Sequence, residues 1–177
     1  HGALIAHGVD KAGEGELIRL VLDMGGGTFD WFVAKGIKPN RSLCGAAPIG
    51  ALACAAAVCD EIKIGLKDNP EIMARVDRAL REQAKTVTIS GVKHEMAQYD
   101  QIVTRVLQDG IEQMSKSVGS LDGMDKILVT GGGAQLLLNT LRRSLPQYKD
   151  LMEVDAEPIA SNVRGFHALG MHLARSR

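Results

Sequence analysis

Leu20-Val21-Leu22-Asp23-Met24-Gly25-Gly26-Gly27-Thr28-Phe29-Asp30 is the stretch whose reading decides the fold. An apolar run over residues 17–22, broken only by Arg19, stops at an aspartate, a methionine and three glycines, and a second apolar, β-prone run resumes over 28–34. Strand, tight turn, strand is the economical reading. Gly25, Gly26 and Gly27 can take positive φ and place no side chain between backbone and ligand, so their amides can converge on a phosphate. Thr28 adds a hydroxyl donor. Asp23, at the strand end, is placed for a magnesium ion, through a water, or for an attacking water. The same residues also suit an ordinary glycine-rich hairpin, for which two turn residues would suffice.

A second glycine run lies far downstream. Ile127-Leu128-Val129 leads into Gly131-Gly132-Gly133, after which Ala134 opens a leucine-spaced helix that Pro146 closes. Free amides and the helix dipole favour an anion at such a helix start, and missing side chains admit a flat ring. A dinucleotide fingerprint G-x-G-x-x-G fails in both loops, because the third glycine position holds Asp30 or Leu136, and no Walker lysine motif is present.

Outward from these loops the pattern is mixed α/β. A third strand is expected over 41–46, giving three antiparallel strands at the start of a sheet. An alanine-rich helix runs from Gly50 to about Gly65, with Leu52, Ala55, Cys59, Ile62 and Leu66 as its buried stripe. Asn69-Pro70 reads as an N-cap and first helical residue, and Ile72, Met73, Val76 and Leu80 continue that helix. A short strand over 86–89 leads into a long amphipathic helix carrying Tyr99, Ile102, Val103, Val106, Leu107, Ile111 and Met114. A strand at 152–154 and a helix over 161–174 finish the chain. One domain is expected, with a main part over 1–66 and 92–177 and a small insertion over 67–91.

Lys and Arg balance Asp and Glu at 21 each, so the molecule lacks the basic field that direct duplex binding requires. Cys44, Cys54 and Cys59 are odd in number and form no C-x-x-C pair, which fits buried thiols in a reducing cytoplasm better than a disulfide or zinc framework. No apolar run reaches the ~18–20 residues that span a bilayer, and the start lacks a signal peptide's charged and apolar regions, so no membrane association is expected. His94, His167 and His172 have no partner at metal-ligand spacing, and Trp31 is expected to pack on the sheet. The chain opens on His1 inside a small-residue, helix-like stretch, which reads as a fragment of a longer protein.

The run from Leu20 to Asp30 resembles the second phosphate motif of the actin, heat-shock chaperone and sugar-kinase superfamily, and residues 127–134 resemble its adenosine motif. Gly2-Ala3-Leu4-Ile5-Ala6 looks like the connecting helix that precedes the phosphate motif. The resemblance covers nearly the whole chain and implies a ribonuclease H-like, actin-type domain. Within the superfamily, Ala160-Ser161-Asn162-Val163-Arg164-Gly165-Phe166 is similar to an ending carried by plasmid-segregation actins of the ParM and StbA type. The spelling from Asp23 to Asp30 is closer to the chaperones, in which an acidic-x-x-lysine pair like Glu82 and Lys85 contacts adenosine. No substrate-binding β domain follows Arg177, which disfavours a chaperone.

By this resemblance the ligands are ATP and Mg2+. The resemblance implies that the first phosphate loop lies on an absent N-terminal domain and the catalytic Glu or Gln just upstream of His1, and the fragment alone is expected to bind nucleotide weakly and hydrolyse it negligibly. The parent is expected to be an ATPase that self-associates into filaments and moves plasmid DNA only indirectly, through an adaptor. The alternatives are a chaperone or sugar kinase on the same fold, or a scaffold that kept the fold without the chemistry.

Overall fold

The computed structural model describes residues 2, 16–36 and 38–175. In chain order the elements are β1 (Ile18–Met24), β2 (Phe29–Lys35), β3 (Lys38–Pro39), β4 (Gly45–Ala47), α1 (Ala51–Ile62), α2 (Pro70–Arg81), β5 (Thr86–Ile89), β6 (Val92–Glu95), α3 (Asp100–Val118), β7 (Lys126–Thr130), α4 (Ala134–Ser144), β8 (Met152–Val154) and α5 (Ser161–Arg175). The main sheet has the order β3-β2-β1-β7-β8, with β4 also on β2, and β5 with β6 forms a separate hairpin. β2 runs antiparallel to β1, β3 and β4, whereas β1, β7 and β8 are mutually parallel.

β1 is nearly continuous in apolar residues because both of its faces are covered, as is usual for a strand inside a parallel arrangement. Leu20, Leu22 and Met24 point into the larger core with Phe29, Trp31, Ile127 and Val129, while Val21 joins Ala34 and Leu128 on the opposite face. Each fully buried leucine of this kind contributes on the order of 1.5–3 kcal/mol. α4 lays Leu137, Leu138 and Leu141 on the larger core, which orients its N-terminus toward the end of β7. Trp31 packs on the sheet as expected, tilted against Phe29 at 5.7 Å between ring centroids, and a Cβ at Gly45 would collide with its indole.

The cap at Asn69 forms as read: its Oδ1 accepts from the amides of Glu71 (3.0 Å) and Ile72 (3.2 Å), with Pro70 in the first helical turn. Asn69→Ala removes both acceptor contacts and costs about 1 kcal/mol. A urea melt of the variant should show a lowered midpoint with an unchanged slope; an unchanged midpoint would show that the cap contributes nothing.

Several expectations need correction. The third strand is not continuous over 41–46: Arg41–Leu43 is a 3-10 turn, and from this stretch pairing with β2 begins only at Gly45, in β4. In α1 the buried residues are Ala51, Cys54, Ala55, Val58 and Cys59, while Leu52 is 46% exposed and stands outside the stripe. Ile62 and Leu66 are only partly buried against the core. The strand at Thr86–Ile89 does not lead straight into a helix, since β6 pairs back on it through Ser90 and Gly91, both at positive φ. The hairpin therefore extends to Glu95. Tyr99 belongs to a 3-10 turn before α3. Of the connecting-helix stretch, residues 3–6 lie outside the described residues.

All three cysteines are free. Cys54 and Cys59 are buried, and burial pushes the Cys54 thiol up to about 12, whereas Cys44 is half-buried and points its Sγ at the Asn40 carbonyl. His94 is tied to Tyr99 through its Nδ1, at 2.9 Å from the phenolic oxygen. No group of three or more His, Cys, Asp or Glu that could hold a metal occurs among the described residues, and no described helix is long and apolar enough to cross a membrane.

Candidate functional site

Both glycine loops start at the carboxyl ends of adjacent parallel strands. Asp23 of β1 stands in register with Thr130 of β7, so Gly25–Gly27 and Gly131–Gly133 leave the sheet side by side. The carboxyl edge of parallel strands is where open α/β sheets bind ligands, because the chain turns away there and leaves a crevice. The loops are also joined directly, since the Gly133 amide donates to the Met24 carbonyl at 2.9 Å.

The first loop is shaped by its neighbours more than by unusual dihedrals. None of Gly25, Gly26 or Gly27 has positive φ, so the loop does not use the conformational freedom that its glycines allow. What the loop requires is the missing side chain. The Gly25 amide donates to the Thr28 carbonyl at 2.9 Å, and the first amides of α1, from Ala51 and Leu52, donate to the carbonyls of Gly25 and Gly26, both at 3.0 Å. A Cβ at Gly50 would collide with the backbone of Gly26. The amides of Gly26, Gly27 and Thr28 donate to no other described residue, and all three residues are exposed. The Thr28 hydroxyl is already committed: Oγ1 donates to Asp30 Oδ2 at 2.7 Å. Thr28 thus offers its amide rather than the side-chain donor expected of it.

The second loop does depend on backbone freedom. Gly131 sits at φ +88°, and a Cβ there would collide with Asp23 Oδ1 and the Met24 carbonyl. A Cβ at Gly133 would run into the Met24 side chain. Gly132 differs, because an added Cβ would meet only Arg81, at 3.8 Å from its Cδ. Gly131 N donates to Pro158 O at 3.0 Å, and Ala134 N donates to Gly131 O at 3.1 Å, so Gly132 is the loop residue left open.

Asp23 lies between the loops. Its Oδ2 accepts from Asn162 Nδ2 at 2.6 Å, and no cation pairs with it among the described residues. Asp30 is its direct cross-strand neighbour. A half-buried, uncompensated carboxylate beside free amides fits a magnesium ion that arrives with phosphate oxygens, because Mg2+ commonly takes one or two protein carboxylates and keeps its remaining places for phosphate and water. The nearby Ser161 Oγ is wholly buried with no hydrogen-bond partner, the kind of orphan that an ordered water satisfies.

Glu82 and Lys85 are both exposed, do not pair with each other, and stand apart in their surroundings. Glu82 caps α2. Lys85 lines a cleft of about 420 Å3 shared with Leu80, Gln83, Met96, Leu136 and Asn139, between the end of α2, the start of α3 and α4. The α2 residue that reaches the glycine loop is Arg81, held by Asp77 through Nε at 2.9 Å. Sequence reading missed Arg81, the Pro158 carbonyl and Asn162 as neighbours of the loops. Asn162 lies 139 residues from Asp23, so no local spacing connects them.

A family model described as archaeal actin homologue MreB-like, C-terminal, matches residues 21–143, well over half of the chain. No curated protein matches the sequence. Among solved structures, the chain is similar to apo psk41 ParM, with TM-score 0.70 and 20% identity over 99% of this chain and 48% of that one. Ta0583, an archaeal actin homologue in complex with ADP, gives TM-score 0.75 and 18% identity over 97% of this chain and 55% of that one. A subunit of a 15-stranded ParM filament from Clostridium botulinum gives 0.71 and 16% over 97% and 51%. The chain thus spans about half the length of these structures, and at such identities the likeness is one of fold. With its mixed sheet flanked by helices, the chain belongs to the family of archaeal MreB-like actin homologues, as a C-terminal domain of the actin-like fold.

Proposed function

We propose that the chain is the C-terminal half of an actin-like ATPase, taking the phosphates of magnesium ATP on Gly25–Thr28 and the adenosine on Gly131–Ala134. The observation that carries this reading is the apposition of the two loops: unpaired amides of Gly26, Gly27 and Thr28 beside Asp23, and open Gly132 across the same crevice. Converging amides stabilise phosphate negative charge without a side chain, and no pre-existing hydrogen bond of those amides has to be broken. Magnesium, when bound with the nucleotide, supplies charge neutralisation at the phosphates; Asp23 is the residue that would hold it. Lys85, at the rim of the 420 Å3 cleft, is the side chain we assign to the base or ribose, with Glu82 at the α2 terminus as its acidic companion.

The complete protein, in this reading, closes a second domain over the nucleotide, polymerises in that state and disassembles after hydrolysis, in the cytoplasm, moving plasmid DNA through an adaptor. Support comes from the similar structures: Ta0583 is described with ADP, ParM of Bacillus thuringiensis with ATP, and the Clostridium botulinum ParM and Alp12 as filaments. In this reading half of the catalytic site is contributed by the closing domain, so turnover by the 177-residue chain on its own is expected to be negligible.

Calorimetric titration of the 177-residue chain with magnesium ATP tests the site. Weak binding is expected, and Gly132→Val should weaken it about tenfold or more, equivalent to about 1.4 kcal/mol. Gly132 is the right position, because a Cβ there would meet only Arg81, at 3.8 Å from its Cδ, and a thermal melt of the variant checks that the fold is kept. No binding by the unmodified chain at millimolar nucleotide, or equal binding by the variant, would remove the nucleotide reading.

A further inference from the structure

We propose that Asn162 is a positioning residue for Asp23: it sets the carboxylate between the two glycine loops, and the gain in nucleotide affinity from magnesium passes through that contact. The inference rests on the nucleotide reading above. An aspartate at a strand end has several rotamers, and only a partner fixes one of them. Here Asn162 Nδ2 donates to Oδ2 at 2.6 Å, a short hydrogen bond to an ionised acceptor, while Oδ1 is left over Gly131. The chemistry of the donor matters. A lysine or arginine would also orient the carboxylate but would cancel its charge, and a cation arriving with the nucleotide would then meet a neutralised pair. A neutral amide orients without neutralising.

Asn162 is itself held from several directions. The segment before α5 is pinned to the end of β7, because the Pro158 carbonyl accepts both from Gly131 N at 3.0 Å and from Thr130 Oγ1 at 2.8 Å. Arg164 bridges the buried Asp155 at 2.9 Å and also pairs with Glu157, bracing the same segment across the first turn of α5. On the far side, Gly2 lies so close to the Asn162 backbone that a Cβ there would collide with it. Its side chain is therefore presented to Asp23 from a backbone held on several sides, and the same strap touches the adenosine loop through Gly131.

The test uses the 177-residue chain titrated calorimetrically with ADP, once in magnesium and once in EDTA, with thermal melts as the control for folding. The unmodified chain should bind more tightly in magnesium, by about tenfold. Asn162→Ala should keep its EDTA affinity within about twofold and lose most of the magnesium gain, and Asp23→Ala should lose it equally. The double variant should lose no more than either single one, as expected when two residues act through one contact. Asn162→Leu, close in size but without a donor or a charge, should also lose the gain, and it serves if Asn162→Ala does not fold. A full magnesium gain in the Asn162 variants overturns the proposal while leaving nucleotide binding standing. So does equal weakening in magnesium and EDTA, which marks a merely structural residue. Absence of ADP binding by the unmodified chain under both conditions overturns this proposal together with the nucleotide reading.

Discussion

Gly131→Ala is expected to destabilise the domain by about 4 kcal/mol, lowering its melting temperature by about 8–16 °C, whereas Gly132→Ala should stay within about 1 kcal/mol of the unmodified chain. The two glycines are neighbours in sequence but not in circumstance. At φ +88° an L side chain is strained by about 1–3 kcal/mol before any contact is considered. The new Cβ would then meet the Met24 carbonyl and Asp23 Oδ1, and a backbone carbonyl cannot rotate aside. Relief requires the loop to move off β1, which breaks the Gly133–Met24 and Gly131–Pro158 hydrogen bonds at about 1 kcal/mol each. Differential scanning calorimetry on the pair of variants reads this contrast, and equal melting temperatures would refute it.

Gly50→Ala should have the second largest effect, about 2–4 kcal/mol, and it should reach the phosphate loop from outside. Its Cβ would collide with the carbonyl of Gly26, so the start of α1 must separate from the loop. That separation removes the bonds from Ala51 N and Leu52 N that hold the Gly25 and Gly26 carbonyls in place. Nucleotide affinity should fall with stability. Gly27→Ala is the matching control: its Cβ meets nothing within 4 Å and its φ is not positive, so it should leave the melt unchanged while crowding the phosphate position. A Gly50→Ala chain that melts normally would show that α1 does not set the loop.

Much of the architecture was legible because it is local. An apolar run ending at Asp23 and resuming at Thr28, and Asn69-Pro70 before a periodic segment, carry their geometry within a few residues, and the structure follows both. Misreadings fall where side chains say little. In α1 the core face is made of Ala51, Cys54, Ala55, Val58 and Cys59, and small residues on every side leave a lone leucine looking like the anchor; Leu52 instead stands beside Gly26, with 3.6 Å from its Cδ1 to the place of a Cβ there. β6 has an exposed Val-Lys-His-Glu sequence with no apolar alternation, so periodicity is silent, although Ser90-Gly91 at positive φ is the two-residue turn that joins hairpins. At the site, the loops were visible as glycines, but their supports were not. Asn162, Pro158 and Arg81 reach the crevice only through the tertiary fold, and a glycine run does not reveal which of its members is held by collision and which is open.

The parallel pairing of β1 with β7 also has a consequence for synthesis. As the chain leaves the ribosome, β1 can close at once on β2, its antiparallel neighbour across a four-residue turn, but its other edge waits until β7 emerges after three intervening helices and a hairpin. During that interval an apolar strand end bearing Asp23 is open to pairing with any other extended chain, the hazard that unpaired edges carry. Slow translation through residues 36–125 would lengthen the exposure, and the nascent meander would then depend on chaperones or on its own α1 to stay single.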